Sequence, residues 1–153
     1  MAFKVFISYS TRDLQIVQAV RAWLQLPQVE VFISEYAVPP GAPLAPTIKA
    51  QIQTCDLFVL LWSENAAASE WVPQEIGIAH GYKKPILPLV LQAGLNLSGF
   101  VKELRYIAAF QNTQDAMRQL REYVLTNSLL KKNQQAFLAV LAIGSLIVLL
   151  KGE

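Results

Sequence analysis

The sequence holds one cysteine and one histidine in 153 residues, and charged residues make up only 16% of it. Because Cys55 has no second cysteine to pair with, an intrachain disulfide is excluded, and a reducing compartment is the natural setting. Cys55 precedes an apolar run, where we expect a small buried hydrophobe. With His80 as the only histidine, a histidine-cluster metal site is excluded and a Ser-His-Asp triad has little support.

An excess of charge of one sign is also missing from most of the chain. In residues 1–127, ten Lys/Arg are matched by ten Asp/Glu, so the formal net charge of +2 comes from the C-terminal tail. Nucleic-acid binding depends on clustered Lys and Arg, and residues 1–127 have too few for a basic face. We therefore expect no nucleic-acid partner. The tail lysines instead flank an apolar segment, which is typical of a segment that meets a membrane surface.

Strand-like and helix-like segments alternate along residues 1–127, which predicts a parallel α/β domain with right-handed crossovers. The run Leu57–Trp62 is apolar at every position, as expected for a strand covered by helices on both faces. The predicted strands are 3–8, 29–33, 57–62, 85–91 and 106–109. The predicted helices follow the first strand up to Pro27 and then cover 47–54, 72–82 and 115–125.

In a parallel α/β sheet, ligands bind in the crevice beyond the carboxyl ends of the strands. Here those ends carry the polar pairs Ser8-Tyr9, Ser34-Glu35 and Ser63-Glu64. Two loops follow them, a proline-rich one at Glu35 to Pro46 and a polar one at Ser63 to Ser69. Long loops in compact domains are more often functional than idle, so the proline-rich loop is a candidate for function.

The C-terminal tail differs in character from the rest of the sequence. Residues 128–135 form a basic and polar linker, and the apolar residues 136–150 predict a hydrophobic helix. Such a helix spans only about 22 Å, whereas a hydrocarbon core is about 30 Å thick. Flanking lysines can snorkel and close part of this gap. Since a helix that is apolar all round cannot lie in water, two alternatives stay open: a membrane anchor, or a helix that packs on a neighbouring subunit.

The segment Trp71-Val-Pro-Gln-Glu75 carries an unusual carboxylate. Helical surface carboxylates usually have an opposite charge three or four positions away. The residues at those positions around Glu75 are Trp71, Val72, Ile78 and Ala79. A carboxylate on an apolar stripe beside tryptophan is costly unless it is used. From spacing alone, two interpretations stay open: a functional carboxylate and a solvated surface charge.

Several segments resemble, in order, the motifs of the Toll/interleukin receptor (TIR) domain family. Phe6-Ile-Ser-Tyr-Ser-Thr-Arg-Asp13 is similar to the family's opening box. Val31-Phe-Ile-Ser34 and the following Pro-Pro-Gly are similar to its second strand and BB loop. Further matches are Cys55-Asp56 before the third strand, the WxxxE motif from Trp71 to Glu75, and Lys84-Pro-Ile-Leu-Pro88. The resemblance covers residues 3–125 and stops before the tail.

The resemblance implies a flavodoxin-like, five-stranded parallel sheet with helices on both faces. It also implies an enzyme, because the WxxxE glutamate belongs to the branch that cleaves NAD at the nicotinamide–ribose bond. The products there are nicotinamide and ADP-ribose or a cyclic ADP-ribose isomer. NAD is then the substrate, and no cofactor or metal is expected. Glu75 would be the catalytic residue, and the implied substrate-binding residues are Ser8, Tyr9, Arg12, Phe32 and Trp71.

One departure from the family concerns Ser34, where many members have aspartate, so any role of that carboxylate is absent here. A compact TIR domain with a hydrophobic tail resembles those of prokaryotic antiviral defence systems. We expect such a protein in the cytoplasm, free or anchored to the inner face of the membrane by residues 136–150. The family resemblance also implies a homo-oligomer with contacts through the loop Glu35 to Pro46. The alternative functions are a tethered adaptor that recruits other TIR domains and a tail that itself acts on the membrane.

Overall fold

A parallel sheet of five strands forms the centre of the molecule, in the order β2-β1-β3-β4-β5. The computed structural model describes residues 2–33 and 46–151, with side chains described through Gln135. The strands are β1 (Phe3–Ser8), β2 (Val29–Ile33), β3 (Leu57–Trp62), β4 (Ile86–Val90) and β5 (Ile107–Ala108). The helices are α1 (Leu14–Trp23), α2 (Pro46–Thr54), α3 (Glu64–Ala67), α4 (Trp71–Gly81) and α5 (Thr113–Lys151), with 3-10 turns at Thr11–Asp13 and Gly99–Val101.

The predicted flavodoxin-like sheet, covered by helices on both faces, is confirmed. β3 is buried at all its positions because helices lie on both sides of it. One face packs against α1 and α5 through a core that includes Val5, Ile7, Val59, Leu61, Val17, Val20, Met117, Leu120 and Val124. The other face packs against α2 and α4 through a core that includes Phe6, Phe58, Leu60, Trp62, Ile48, Ile52, Val72, Ile76 and Ala79.

The register of the three neighbouring strands β2, β1 and β3 brings their carboxyl ends to one edge. Phe6 of β1 lies opposite both Phe32 and Phe58, and the rings of Phe6 and Phe58 stack at 5.5 Å. From this edge the chain turns in two directions, because β1 leads to α1 on one face while β3 leads through α3 to α4 on the other. The order 2-1-3-4-5 places a topological switch point between β1 and β3, where parallel α/β folds bind ligands.

Two predicted segments differ from the structure. The segment Ser63 to Ser69, expected as a polar loop, contains the short helix α3, because Ser63 Oγ accepts the Ala66 N–H at 3.0 Å and caps the first turn. The last helix, expected over 115–125, extends over Thr113–Lys151 and includes the expected linker 128–135. The buried thiol of Cys55, in contrast, is confirmed.

An ion pair ties α5 to the amino-terminal edge of the sheet. Lys131 Nζ lies 2.8 Å from Asp56 Oδ2 and donates to the Ala2 carbonyl oxygen at 3.1 Å. The same Asp56 oxygen accepts the backbone N–H of Lys4 at 2.8 Å. Both side chains of the pair are only 26% exposed, so solvent screens the attraction less than at an open surface. Lys131 therefore belongs to the domain rather than to a detached linker.

Two predictions about the sequence fall outside the part of the chain that the structure describes in full. The loop from Glu35 lies outside the described residues until Pro46, where α2 begins. The apolar segment 136–150 lies in α5, beyond the last described side chain. Among the residues that the structure describes in full, no helix combines the length and apolarity that crossing a membrane requires.

Removing the charge of Lys131 tests its contact with the sheet. We expect Lys131→Gln to lower the free energy of unfolding by about 1 kcal/mol, because a partly buried ion pair and a hydrogen bond are lost. Urea unfolding followed by circular dichroism measures this change. Lys132→Gln is the matched control, because Lys132 is exposed on the next position of the helix. Equal effects of the two substitutions would contradict a role of the ion pair.

The Cys55 thiol gives a second test. Burial raises its pKa from 9.0 to about 11, and the positive charge of Lys84 only partly opposes this shift. The thiolate is the reactive form, so at pH 8 the folded protein holds about a hundredfold less of it than at the unshifted pKa. We expect a disulfide reagent to label Cys55 at once in urea and very slowly in native buffer. Fast labelling of the folded protein would show that the thiol is accessible.

Candidate active site at the carboxyl edge of the sheet

Glu75 lies on the inner side of α4 and has no solvent-exposed surface. Its Oε1 accepts a hydrogen bond from the Ser8 hydroxyl at 2.7 Å. Ser8 is the last residue of β1 and is fully buried as well. Burying a carboxylate is costly unless hydrogen bonds replace its lost hydration. This contact therefore holds the carboxylate at the carboxyl end of β1.

The first turn of α4 positions Glu75. Ser69 Oγ accepts the backbone N–H groups of Trp71 at 3.2 Å and Val72 at 3.3 Å, two of the donors that every helix start leaves unpaired. Pro73 is the third residue of α4, so its missing N–H removes no hydrogen bond within the helix. The helix therefore includes both Trp71 and Glu75, which lie one turn apart on the same side.

Two of the three aromatic residues predicted to bind substrate lie on the same face of the sheet as Glu75. Trp71 is 7% exposed in the first turn of α4. Phe32 pairs in register with Phe6 and is half-buried against the core beneath α2 and α4. Since side chains two positions apart on a strand share a face, Ser8 lies on that face together with Phe6. The structure thus brings Ser8, Phe32, Trp71 and Glu75 to one side of the sheet.

Tyr9 is not part of this group. Its side chain is 2% exposed and packs into the core beneath α1 and α5, on the opposite face of the sheet. The reason is the alternation of side chains along extended backbone, which separates Tyr9 from its neighbour Ser8. The structure therefore does not bring Tyr9 together with Glu75.

A cleft of about 250 Å³ opens at the switch point, between the turn after β1 and the segment after β3. Its lining is mostly polar and consists of Ser10, Thr11, Arg12, Asn65, Ala68 and Ser69. Arg12 is exposed, and the ion pairs within the described side chains do not include it. A guanidinium without a carboxylate partner at a polar cleft is suited to bind an anionic group.

A buried network joins the two walls of this cleft. Asp13 Oδ2 accepts a hydrogen bond from the Ser63 hydroxyl at 2.5 Å, and Asp13 Oδ1 accepts one from Asn65 Nδ2 at 2.9 Å. Asp13 is only 8% exposed, so its charge is held by these contacts rather than by water. None of the three was predicted as a functional residue. Ser63 could be singled out in the sequence because it is a polar residue at the end of a strand. Its partner Asp13 lies 50 positions away, and no local pattern connects the two.

Several proteins of known structure share this fold. The TIR domain of the Toll-related receptor TRR-2 from Hydra magnipapillata has a TM-score of 0.63 at 15% identity, covering 78% of this chain and 96% of that one. CMP N-glycosidase BcmB from Clostridium botulinum has a TM-score of 0.53 at 18% identity, covering 76% and 97%. A 2-desoxiribosyltransferase from Leishmania mexicana has a TM-score of 0.50 at 15% identity, covering 78% and 97%. At these identities the likeness is one of fold.

Sequence comparison gives the family directly. No curated protein sequence matches the chain significantly. The family model described as TIR domain, however, matches residues 5–122, from β1 into α5. That range contains both walls of the cleft, the Ser8–Glu75 hydrogen bond and all of the sheet except Phe3 and Lys4 of β1. Since it also comprises well over half of the 153 residues, the chain belongs to the TIR domain family.

Proposed function

We propose that this TIR domain cleaves NAD at the bond between nicotinamide and ribose, with Glu75 as the catalytic residue. The observation that carries the proposal is a fully buried carboxylate held by Ser8 at the ligand-binding edge of the sheet. A carboxylate placed there is costly for folding, so its retention in a buried position favours a functional role. Two proteins of similar fold are by name an N-glycosidase and a desoxiribosyltransferase. These names agree with the proposed reaction class, but the proposal does not rest on them.

The chemistry of the reaction needs few protein groups. Nicotinamide leaves as a neutral base from a cationic pyridinium, so no strong general acid is required. Positive charge develops on the ribose in an oxocarbenium-like transition state, and a fixed carboxylate stabilises it electrostatically. The oxygen of water then bonds to the anomeric carbon, which gives ADP-ribose and releases a proton. If a nucleophile within the ADP-ribose attacks instead, the product is a cyclic isomer.

The remaining residues bind and orient the substrate in this proposal. Trp71 stacks on the flat nicotinamide and excludes water, and Phe32 borders the same pocket. Ser8 positions the Glu75 carboxylate through its hydrogen bond. Arg12, exposed at the cleft beside the switch point, binds the pyrophosphate.

Access to Glu75 requires a change in its surroundings, because the carboxylate has no exposed surface in the single chain. We propose that TIR–TIR contacts, including the loop Glu35 to Pro46, open the pocket and complete it in a homo-oligomer. A dormant monomer and an active assembly suit a cytoplasmic signalling protein of prokaryotic antiviral defence, in which residues 136–150 serve as a membrane anchor or an oligomer helix.

The charge of Glu75 is the first thing to test. We expect Glu75→Gln to reduce nicotinamide release from NAD by about 10³-fold, the scale of losing a principal electrostatic group in an active site. The measurement is nicotinamide release by concentrated full-length protein. Glu122→Gln is the matched control, since Glu122 is an exposed carboxylate on α5. Unchanged release by Glu75→Gln would remove Glu75 from the mechanism, and no release by the assembled wild type would reject NAD cleavage.

The positioning role of Ser8 has a smaller expected effect. Ser8→Ala removes one hydrogen bond to a charged group, so we expect kcat to fall about 10- to 100-fold while KM changes little. Ser8→Thr keeps the hydroxyl and should restore part of kcat if the buried site accepts the added methyl group. A change confined to KM would assign Ser8 to substrate binding instead.

Arg12 should show the opposite pattern. We expect Arg12→Ala to raise KM for NAD about tenfold or more with a smaller change in kcat, because it removes a charge-assisted contact to the pyrophosphate. Arg21→Ala removes another exposed arginine, from α1, and serves as the control. If both substitutions change KM equally, a general loss of positive charge explains the effect.

The burial of Glu75 favours one second candidate function. A carboxylate with no exposed surface and a hydrogen bond to the sheet also suits a purely structural role, as in an adaptor that acts by TIR–TIR interaction or through its tail. Under this function, Glu75→Gln would lower stability but leave recruitment of a second TIR domain intact. Thermal unfolding and a pull-down between two differently tagged copies of the full-length chain would separate the two functions.

A further inference from the structure

We propose that Asp13 is a positioning residue, which couples the two walls of the cleft and so fixes Arg12 relative to the start of α4. Arg12 lies on the wall after β1, whereas the segment after β3 leads to Trp71 and Glu75. A dinucleotide that reaches both walls needs them at a constant distance. The catalytic consequence of this coupling rests on the proposed function, but the coupling itself is a property of the fold.

Asp13 occupies a helix-capping position without capping the helix. It precedes α1, where an aspartate usually accepts a backbone N–H of the first turn. Here, among the described residues, its side chain makes no such hydrogen bond. Both carboxylate oxygens instead accept hydrogen bonds from the other wall, one from the Ser63 hydroxyl and one from the Asn65 amide. An ordinary capping role therefore does not explain this buried carboxylate.

On the wall after β3, Asp13 holds α3, and α3 leads directly to α4. The Ser63 hydroxyl donates to Asp13 while its oxygen accepts the Ala66 N–H, so the first turn of α3 is bonded to Asp13. Asn65 bonds the same turn to Asp13 a second time. Only three residues separate α3 from α4, and one of them, Ser69, caps the first turn of α4. A displacement of α3 therefore moves the start of α4.

On the wall after β1, Asp13 closes the turn that carries Arg12. Its backbone N–H donates to the Ser10 carbonyl oxygen at 2.8 Å. The Ser10 hydroxyl oxygen accepts the Arg12 N–H at 3.3 Å, and the Arg12 side chain lines the cleft. Asp13 therefore belongs to the wall that holds Arg12 and is bonded to the wall that leads to Glu75.

The strength of this connection comes from the charge of the acceptor. Hydrogen bonds to a carboxylate are about twice as strong as those between neutral groups, and burial limits competition from water. Without them the two walls can move relative to each other, and a misplacement of about 1 Å can cost about 10²-fold in rate. Because Arg12 and Glu75 act on different parts of one substrate, Asp13 influences both through position alone.

Amide hydrogen exchange tests the coupling independently of any reaction. In Asp13→Ala, we expect the Trp71 and Val72 amides at the start of α4 to exchange about tenfold faster, because α3 no longer holds their cap in place. Lys131→Gln is the matched control, since it loses an ion pair at the opposite edge of the sheet. Unchanged exchange at these amides, or the same acceleration in Lys131→Gln, would overturn the proposal.

A milder variant keeps this test decisive if Asp13→Ala fails to fold. Asn65→Ala removes one of the two hydrogen bonds from a half-exposed position and leaves the Ser63 hydroxyl bonded to Asp13. We expect faster exchange of the same two amides, by a smaller factor. Exchange at the wild-type rate in a folded Asn65→Ala protein would contradict the coupling.

Steady-state kinetics with NAD test the catalytic consequence. We expect Asp13→Ala to lower kcat about 10- to 100-fold and to raise KM about tenfold, because both walls are misplaced. Asp13→Asn should recover part of both constants, since its amide oxygen still accepts a hydrogen bond. Loss of folded protein alone would lower the apparent kcat and leave KM unchanged, which would reject a positioning role. If the wild type does not cleave NAD, the proposed function fails, and hydrogen exchange still decides the coupling.

Discussion

A strand covered on both faces has no side that meets water, so each of its side chains must be apolar or hydrogen-bonded. β3 satisfies this constraint with six consecutive apolar residues, all buried, at the middle of the sheet. Because helices must then occupy both faces, the chain leaves β1 toward one face and β3 toward the other. The cleft opens where these two paths separate. The hydrogen bonds of Asp13 to Ser63 and Asn65 connect the two paths. The burial of β3 on both faces therefore determines the position of the cleft.

The Ser8–Glu75 contact adds a second constraint, which concerns a buried carboxylate. A carboxylate inside an apolar interface is stable only while its hydrogen bonds are satisfied. Within the described residues, every buried side-chain nitrogen or oxygen has a partner. In the proposed reaction, a substrate that approaches Glu75 must therefore replace protein contacts with its own. Ribose hydroxyl groups are suited to this exchange, because they donate to a carboxylate as the Ser8 hydroxyl does. A site that is complete without a ligand is protected from water until such an exchange takes place.

The sheet was predictable because its strands are apolar runs whose period and length are visible in the sequence. α3 was missed because its whole signal is one capping serine before a short turn, which also fits a loop. Glu75 was recognised from the missing cation in its own helix and from the family resemblance, and its catalytic role stays a prediction. Its hydrogen bond to Ser8 joins residues 67 positions apart, which no local spacing can indicate. The alternation of side chains along extended backbone separates Tyr9 from Ser8, and this separation also follows from the sequence of β1 alone.

The contact between Lys131 and Asp56 fixes the rotation of α5 about its own axis relative to the sheet. Val124 and Lys131 are separated by nearly two helical turns, so both can meet the domain only while the number of residues between them is kept. One inserted residue would turn everything beyond it by about 100° and advance it by about 1.5 Å. These two contacts therefore fix the orientation of the helix beyond Lys131 relative to the sheet. In evolution, we expect the length of this segment to be retained even where its exposed residues change.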